Sequence, residues 1–308
     1  MERTVLHTLL LTFPIMLCPS CDSPRPEPER IGAEVCTTIE AGQPIAGEVR
    51  ETSGLALSAR AVDVMWTSND RGNDPVLYSL SADGALLNRV TVTGAVLIDW
   101  EDLEAGPCAA GRCLYVGDIG DNDGSRSTIT IYEVAEPLLA DGASDPARAL
   151  HARYPDGPHN AESLFILPGG DLYIVTKGDD GPVTLYRYAA AARGDSVVTL
   201  ERVRDAMSHP GDRSGYVTGA AASPDGQWVA VRTYGALYFY PAGPFVSGAE
   251  VTPITVDLRP LREAQGEGVA MDADGTVWLT SEAENTGERP RRARLMCTLP
   301  NQADVLRQ

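Results

Sequence analysis

Thr218-Gly-Ala-Ala-Ala-Ser223, the turn Ser223-Pro-Asp-Gly226, Trp228-Val-Ala-Val-Arg-Thr-Tyr234 and Leu237-Tyr-Phe-Tyr240 make one unit of a repeat. A polar residue opens the unit and small apolar residues follow. A Pro-Asp-Gly turn reverses the chain, its glycine free to take positive φ. A second apolar run comes next, then a loop, then a Leu-Tyr run. Short apolar runs between turn clusters read as β-strands.

Four further segments share this outline. One runs from Glu51-Thr-Ser-Gly-Leu through Val64-Met-Trp-Thr-Ser-Asn-Asp70 to Val76-Leu-Tyr-Ser-Leu80. The next runs from Asp99-Trp-Glu-Asp-Leu-Glu104 through Leu114-Tyr-Val-Gly-Asp118 to Ile129-Thr-Ile-Tyr-Glu-Val134. A third runs from Ala161-Glu-Ser-Leu-Phe through Leu172-Tyr-Ile-Val-Thr-Lys177 to Thr184-Leu-Tyr-Arg-Tyr188. The last runs from Gly266-Glu-Gly-Val-Ala-Met271 through Val277-Trp-Leu-Thr-Ser-Glu282 to Ala293-Arg-Leu-Met-Cys297. Periods of about 50 residues with three or four strands each are the spacing of propeller blades, which bury their faces only by stacking around an axis. The expected fold is all-β: a single β-propeller over residues 34–300, with five blades. Six blades is the alternative if residues 148–154 or 252–258 belong to a further unit. The N-terminal piece Glu34-Val-Cys-Thr-Thr-Ile39 is placed to supply the outer strand of the last blade and close the ring.

The cysteines fit that closure. Setting aside Cys18 and Cys21 leaves Cys36, Cys108, Cys113 and Cys297, which allow three pairings. Cys108 and Cys113 flank a turn and are expected to staple one hairpin. Cys36 and Cys297 then join the two ends of the fold. A four-cysteine zinc site is disfavoured by spacing and by the lack of an adjacent histidine.

Residues 1–21 read as an export signal. An apolar run from Val5 to Leu17 follows Glu2 and Arg3, too short to span a bilayer, which takes about 20 residues. It ends in Leu17-Cys18-Pro19-Ser20-Cys21, which resembles a bacterial lipoprotein signal with Cys21 as the lipidated residue. Residues 22–33 are a proline-rich tether, and residues 301–308 a tail. The expected location is the cell envelope, as a periplasmic or outer-surface lipoprotein held to the membrane by its lipid anchor.

The chain has 308 residues with a formal net charge of −18, and Lys177 is its only lysine. That field repels phosphate backbones, so nucleic acid is not an expected partner. The same acidity favours a monomer. In a propeller, the start of each first strand and the end of each second strand emerge on one face. Those positions hold Glu51, Glu101, Glu162 and Glu267 with Asn69 (or Asp70) and Asp118, against the cations Lys177 and Arg232. Converging carboxylates repel, and a divalent cation relieves them; hard oxygen donors without histidine or thiolate favour Ca²⁺. Equally, Lys177 and Arg232 could neutralise the acids without any metal, as counter-ions or as an anion-binding pair. The run Gly117-Asp-Ile-Gly-Asp-Asn-Asp-Gly124 departs from the EF-hand pattern at Gly120 and reads as a rim loop. Trp66, Trp100 and Trp278 read as inter-blade packing.

The runs Glu-Thr-Ser-Gly-Leu, Trp-Thr-Ser-Asn-Asp, Asp-Trp-Glu-Asp-Leu, Gly-Asp-Ile-Gly-Asp-Asn and Val-Arg-Thr-Tyr resemble a family of exported bacterial β-propellers. More distantly the chain is similar to the SdiA-regulated propellers and to the gluconolactonase/SMP-30 and paraoxonase-like calcium propellers. The near resemblance covers about residues 51–282; it implies fold and export and carries no activity. The distant one implies Glu, Asn and Asp side chains around an axial calcium.

Two functions remain open. The first is a binding or scaffold module whose acidic, Ca²⁺-binding funnel receives a small molecule or a protein. The alternative is a metal-dependent hydrolase, of lactonase or phosphoesterase type, using the same funnel. No Gly-x-Ser-x-Gly elbow is present. His159, just before Glu162, is the one weak candidate for a general base. No acid–base pair is visible, which favours binding.

Overall fold

The computed structural model describes residues 35–194, 196–283 and 289–301. The signal segment with Cys21, the tether and all of the tail beyond Asn301 lie outside the described residues. The described chain opens with β1 (Cys36–Pro44). The first blade is β2 (Thr52–Leu57), β3 (Val64–Asn69), β4 (Val76–Ser81) and β5 (Leu86–Thr91). The second is β6 (Trp100–Cys108), β7 (Gly111–Asp118), β8 (Ile129–Ala135) and β9 (Arg148–Arg153). The third begins with β10 (Ala161–Ile166), β11 (Leu172–Thr176) and β12 (Val183–Tyr188). Strand β13 (Val198–Thr199) then lies parallel on the edge of the second blade, and β14 (Glu201–Met207) completes the third. The fourth blade is β15 (Val217–Ala222), β16 (Trp228–Thr233), β17 (Ala236–Pro241) and β18 (Ile254–Asp257). The fifth is β19 (Gln265–Met271), β20 (Thr276–Glu282) and β21 (Arg291–Cys297), with β1 as its outer strand.

The protein is therefore a five-bladed β-propeller. The two segments that left six blades open are the outer strands β9 and β18, antiparallel to β8 and β17. The five inner strands β2, β6, β10, β15 and β19 neighbour one another in a closed ring. Closure is made by β1 running antiparallel to β21, with Cys36 opposite Cys297. A disulfide joins these two across 261 residues of sequence, and a second joins Cys108 to Cys113 in the β6–β7 hairpin. Two disulfides fit folding in an oxidising, exported environment. Among the described residues no helix is long and apolar enough to cross a membrane.

The core explains why no blade stands alone. It splits into five apolar clusters, and each lies between two consecutive blades. Trp66 and Leu77 of blade one meet Trp100, Leu103 and Leu114 of blade two. Phe165 and Tyr173 of blade three meet Val217 and Val229 of blade four. Inner strands are buried along nearly their whole length, whereas the outer strand β5 alternates between exposed and buried positions. Burying one such large apolar side chain contributes about 1.5–3 kcal/mol, which an isolated blade would forgo on both faces.

One local feature recurs on all five inner strands. Each departs from regular register near its start: between Ser53 and Ala56, Trp100 and Asp102, Ala161 and Ser163, Val217 and Gly219, and Gly266 and Val269. A bulge leaves an extra residue unpaired and re-aims its side chain. The residues so released are Glu101, Glu162, Thr218 and Glu267 in blades two to five. In blade one the irregularity falls at Gly54, with φ +72°, where a Cβ would lie 2.7 Å from the Asp102 carbonyl carbon. Only glycine permits that approach of β2 to β6.

Candidate metal centre

Three carboxylates converge at the mouth where the inner strands begin. Asp70 follows β3, Asp99 precedes β6, and Glu101 sits in the β6 bulge. One oxygen from each lies within 4.8 Å of the others. Asp99 and Glu101 are buried and Asp70 half-buried. Ca²⁺ binds oxygens at about 2.3–2.6 Å, so two ligands of one ion lie at most about 5 Å apart, and this spacing is compatible. Asp99 Oδ1 is buried and accepts no hydrogen bond. Its nearest cation is the Nε of the exposed Arg71, 4.0 Å away. A buried carboxylate oxygen without a donor is costly unless something positive completes it.

Electrostatics agrees. Burial, then the charge of Asp70, raises the Asp99 carboxyl to about 6. Glu101 is pushed well above the usual carboxylate range by burial, then by the charges of Glu162, Asp70 and Asp99. Asp70 is raised by burial, with Glu51 adding to it.

The room for this group comes from Gly120. A Cβ there would collide with Glu101 Oε1 and lie 2.6 Å from Asp99 Oδ2. Gly120 also donates its N–H to the Asp99 carbonyl at 3.2 Å. Asp118 stands behind, fully buried, accepting the N–H of Ile98 at 3.2 Å and of Asp99 at 3.1 Å. Arg126 pairs with Asp118 at 2.8 Å and donates to the Gly120 carbonyl at 2.7 Å. Asp121 caps the same loop through the N–H groups of Ser125 and Arg126. The acidic run 117–124 thus positions Asp99 and shapes the rim.

The other sequence-derived candidates divide around this group. Glu162 reaches the mouth and is ion-paired with Lys177. Glu267 is buried, its carboxyl well raised by burial and by Glu162, with the Tyr234 hydroxyl 3.5 Å away. Glu51 precedes β2, is exposed, and accepts from Asn73 Nδ2 at 2.8 Å. Asn69 is buried: its amide oxygen takes the Glu51 N–H and its nitrogen donates to Tyr78. Arg232 is fully buried. It pairs with Glu263 and donates to the carbonyls of Gly268 at 2.6 Å and Thr280 at 2.8 Å, inside the seam of blades four and five. His159 lies at the seam of blades two and three. Its Nε2 contacts Asp156 at 3.1 Å and the Tyr186 hydroxyl at 2.9 Å, and its ring meets Tyr154 edge-on.

Sequence reasoning named Asp70 only as an alternative to Asn69 and passed over Asp99 as a ligand. The available signal was local density: Asp99-Trp-Glu-Asp102 carries three acids in four residues. Asp102 is a third kind of carboxylate, buried at the axis. It accepts N–H groups from Leu103 at 2.8 Å, Leu164 at 2.8 Å and Ala220 at 3.2 Å, tying blade two to blades three and four.

No protein-family model matches this chain, and no curated protein sequence matches it. Solved structures do. The chain is similar to the PQQ-bound aldose sugar dehydrogenase of Streptomyces coelicolor, with 12% identity, TM-score 0.50, and 88% of this chain covering 100% of that one. It is similar to a gluconolactonase of Xanthomonas campestris, with 12% identity, TM-score 0.51, and 88% of this chain covering 95% of that one. A calcium-binding regucalcin of Agrobacterium tumefaciens overlaps more loosely, with 13% identity, TM-score 0.45, and coverage of 84% and 94%. These likenesses are to the fold, and the one to the gluconolactonase agrees with the distant resemblance to gluconolactonase-like propellers read from the sequence.

Proposed function

We propose that this chain is an exported, envelope-tethered binding module whose acidic mouth holds one divalent cation of the calcium class. The carrying observation is the buried, donorless Asp99 Oδ1 within a group of three carboxylates. Asp70, Asp99 and Glu101 would hold the ion, and its chemistry there is to offer open coordination positions to an oxygen-rich or anionic ligand. Arg126, through Asp118, keeps Asp99 turned to the axis. Lys177 neutralises Glu162, which limits the negative charge left for the ion to balance. The lipid at Cys21 and the tether would hold the propeller, as a monomer, at the membrane surface. The deep net negative charge supports a partner other than nucleic acid.

A second reading, hydrolysis of a lactone or phosphoester, has its own support in Glu267. Burial, then the charge of Glu162, raises its carboxyl well above the usual carboxylate range, beside the Tyr234 hydroxyl. Water would add to the carbonyl carbon or phosphorus, the bond to the departing oxygen would break as Glu267 passes its proton to that oxygen, and the proton given up by the added water would return to the Glu267 carboxylate.

Metal analysis of the protein after equilibration with calcium, followed by a lactone and phosphoester panel, tests both. The binding reading expects about one ion per chain, lost in Asp99→Asn, and no turnover. Turnover that disappears in Glu267→Gln while the ion stays bound would replace it with the hydrolase. No bound ion would remove both.

A further inference from the structure

We propose that the opposite mouth of the propeller is a second binding site, for a small organic cation: an ammonium group on a compact apolar body. The inner strands end there, and Leu57, Pro107, Ile166, Ala222 and Met271 rim a cavity of about 340 Å³. That volume lies in the range of small-molecule sites, about 300–1,000 Å³. Glu104 forms its floor and is 8% exposed. Its two carboxylate oxygens accept the N–H groups of Ala105 at 2.9 Å and of Ala222 at 3.2 Å, one each. Each oxygen therefore retains an unused lone pair. Both backbone bonds favour the ionised form, while burial opposes it and raises the carboxyl well above its ordinary range. An ammonium donor supplies what the backbone does not: a full positive charge at hydrogen-bond distance.

The walls narrow the choice of ligand. Leu57, Pro107, Ile166, Pro168, Pro224 and Met271 present apolar surface. The two wall hydroxyls are already committed, Ser58 to Glu136 at 2.5 Å and Ser223 to Asp225 at 2.6 Å. The remaining wall charges are Asp272 and Arg112, both exposed, of opposite sign. An anion would meet Glu104 with only Arg112 in its favour, and a neutral polar ligand would meet few partners. This site is independent of the cation site, because Asp102, buried across the axis between the two mouths, bonds to blades two, three and four.

The test is titration of the isotopically labelled protein with cyclohexylammonium, cyclohexanol and cyclohexanecarboxylate, followed by amide NMR. Saturable shifts at Ala105 and Ala222 are expected with the amine, with affinity at least about tenfold above the alcohol, the worth of one charge-assisted bond, and none with the carboxylate. Glu104→Gln should lower amine affinity by the same factor. Ala273→Trp, an exposed rim position, should block the amine without touching the floor. Asp99→Asn, at the other mouth, should leave amine binding unchanged. Equal binding of all three probes, no binding, or shifts confined to residues away from Ala105 and Ala222 would overturn the assignment.

Discussion

Gly120 and Glu101 compete for one volume: any side chain at 120 would occupy the place of the Glu101 carboxylate oxygen, and would press on Asp99 as well. A rim glycine is therefore part of the carboxylate group, although it contributes no ligand atom. Gly120→Ala should lower calcium affinity by at least about tenfold, since it must displace one of three ligands, and cost about 1–3 kcal/mol through overpacking. Calorimetric titration with calcium and urea unfolding of the variant measure the two effects separately.

Asp102 links blade two to blades three and four with one carboxylate. Asp102→Ala would leave the buried N–H groups of Leu164 and Ala220 without partners, a loss of about 2–6 kcal/mol at one to three per group. Asp102→Asn keeps one acceptor oxygen and should cost less. Urea midpoints that fail to separate the two variants from wild type would contradict the cross-axis role.

The carboxylates make stability depend on pH in a defined direction. Asp99 titrates at about 6 in the folded chain against an ordinary 3.8. The folded state thus binds the extra proton in this window, and stability without cation falls as pH rises from about 4 to 6. Raised carboxyls at Asp70 and Glu101 act in the same sense. The cation needs the ionised forms, so the rise in melting temperature given by calcium should be small well below pH 6, where Asp99 holds its proton, and should grow as pH rises through about 6. Melting scans across that range, with calcium and with chelator, read both slopes.

Ring closure should dominate the effect of the cysteines. Cys36→Ser frees a loop of 261 residues, and the chain-entropy model assigns so long a loop about 5 kcal/mol. Cys108→Ser opens a separation of five residues in a hairpin already held by its strand pairing, so its loss should be smaller by half or more. Guanidinium unfolding of each variant gives the comparison.

Much of this was legible in the sequence, and the exceptions have physical causes. Blade count and ring closure follow from a repeat of turns and apolar runs, because one repeat cannot bury its own faces. The mouth acids in blades two, three and five follow from the same repeat. Blade one breaks the correspondence. Its register irregularity falls at Gly54, so Glu51 stays outside the ring of inward-turned residues. Asp70 and Asp99 lie just beyond strand ends, where strand periodicity no longer says which way a side chain faces. Arg232 stands at the end of a second strand, as Lys177 follows one, yet it turns into the seam. Gly266 leaves the space: a Cβ there would collide with the guanidinium. The glycine just before Glu267 is the signal that could have shown it.

The central claim is a cation held by Asp70, Asp99 and Glu101. Calorimetric titration of chelator-stripped protein with calcium chloride at pH 7.5, for wild type and Asp99→Asn, tests it most directly. The account predicts one site in wild type and at least a tenfold weaker site in the variant, roughly the effect of losing one charged ligand. No heat of binding in wild type, or equal affinity in both proteins, would contradict it.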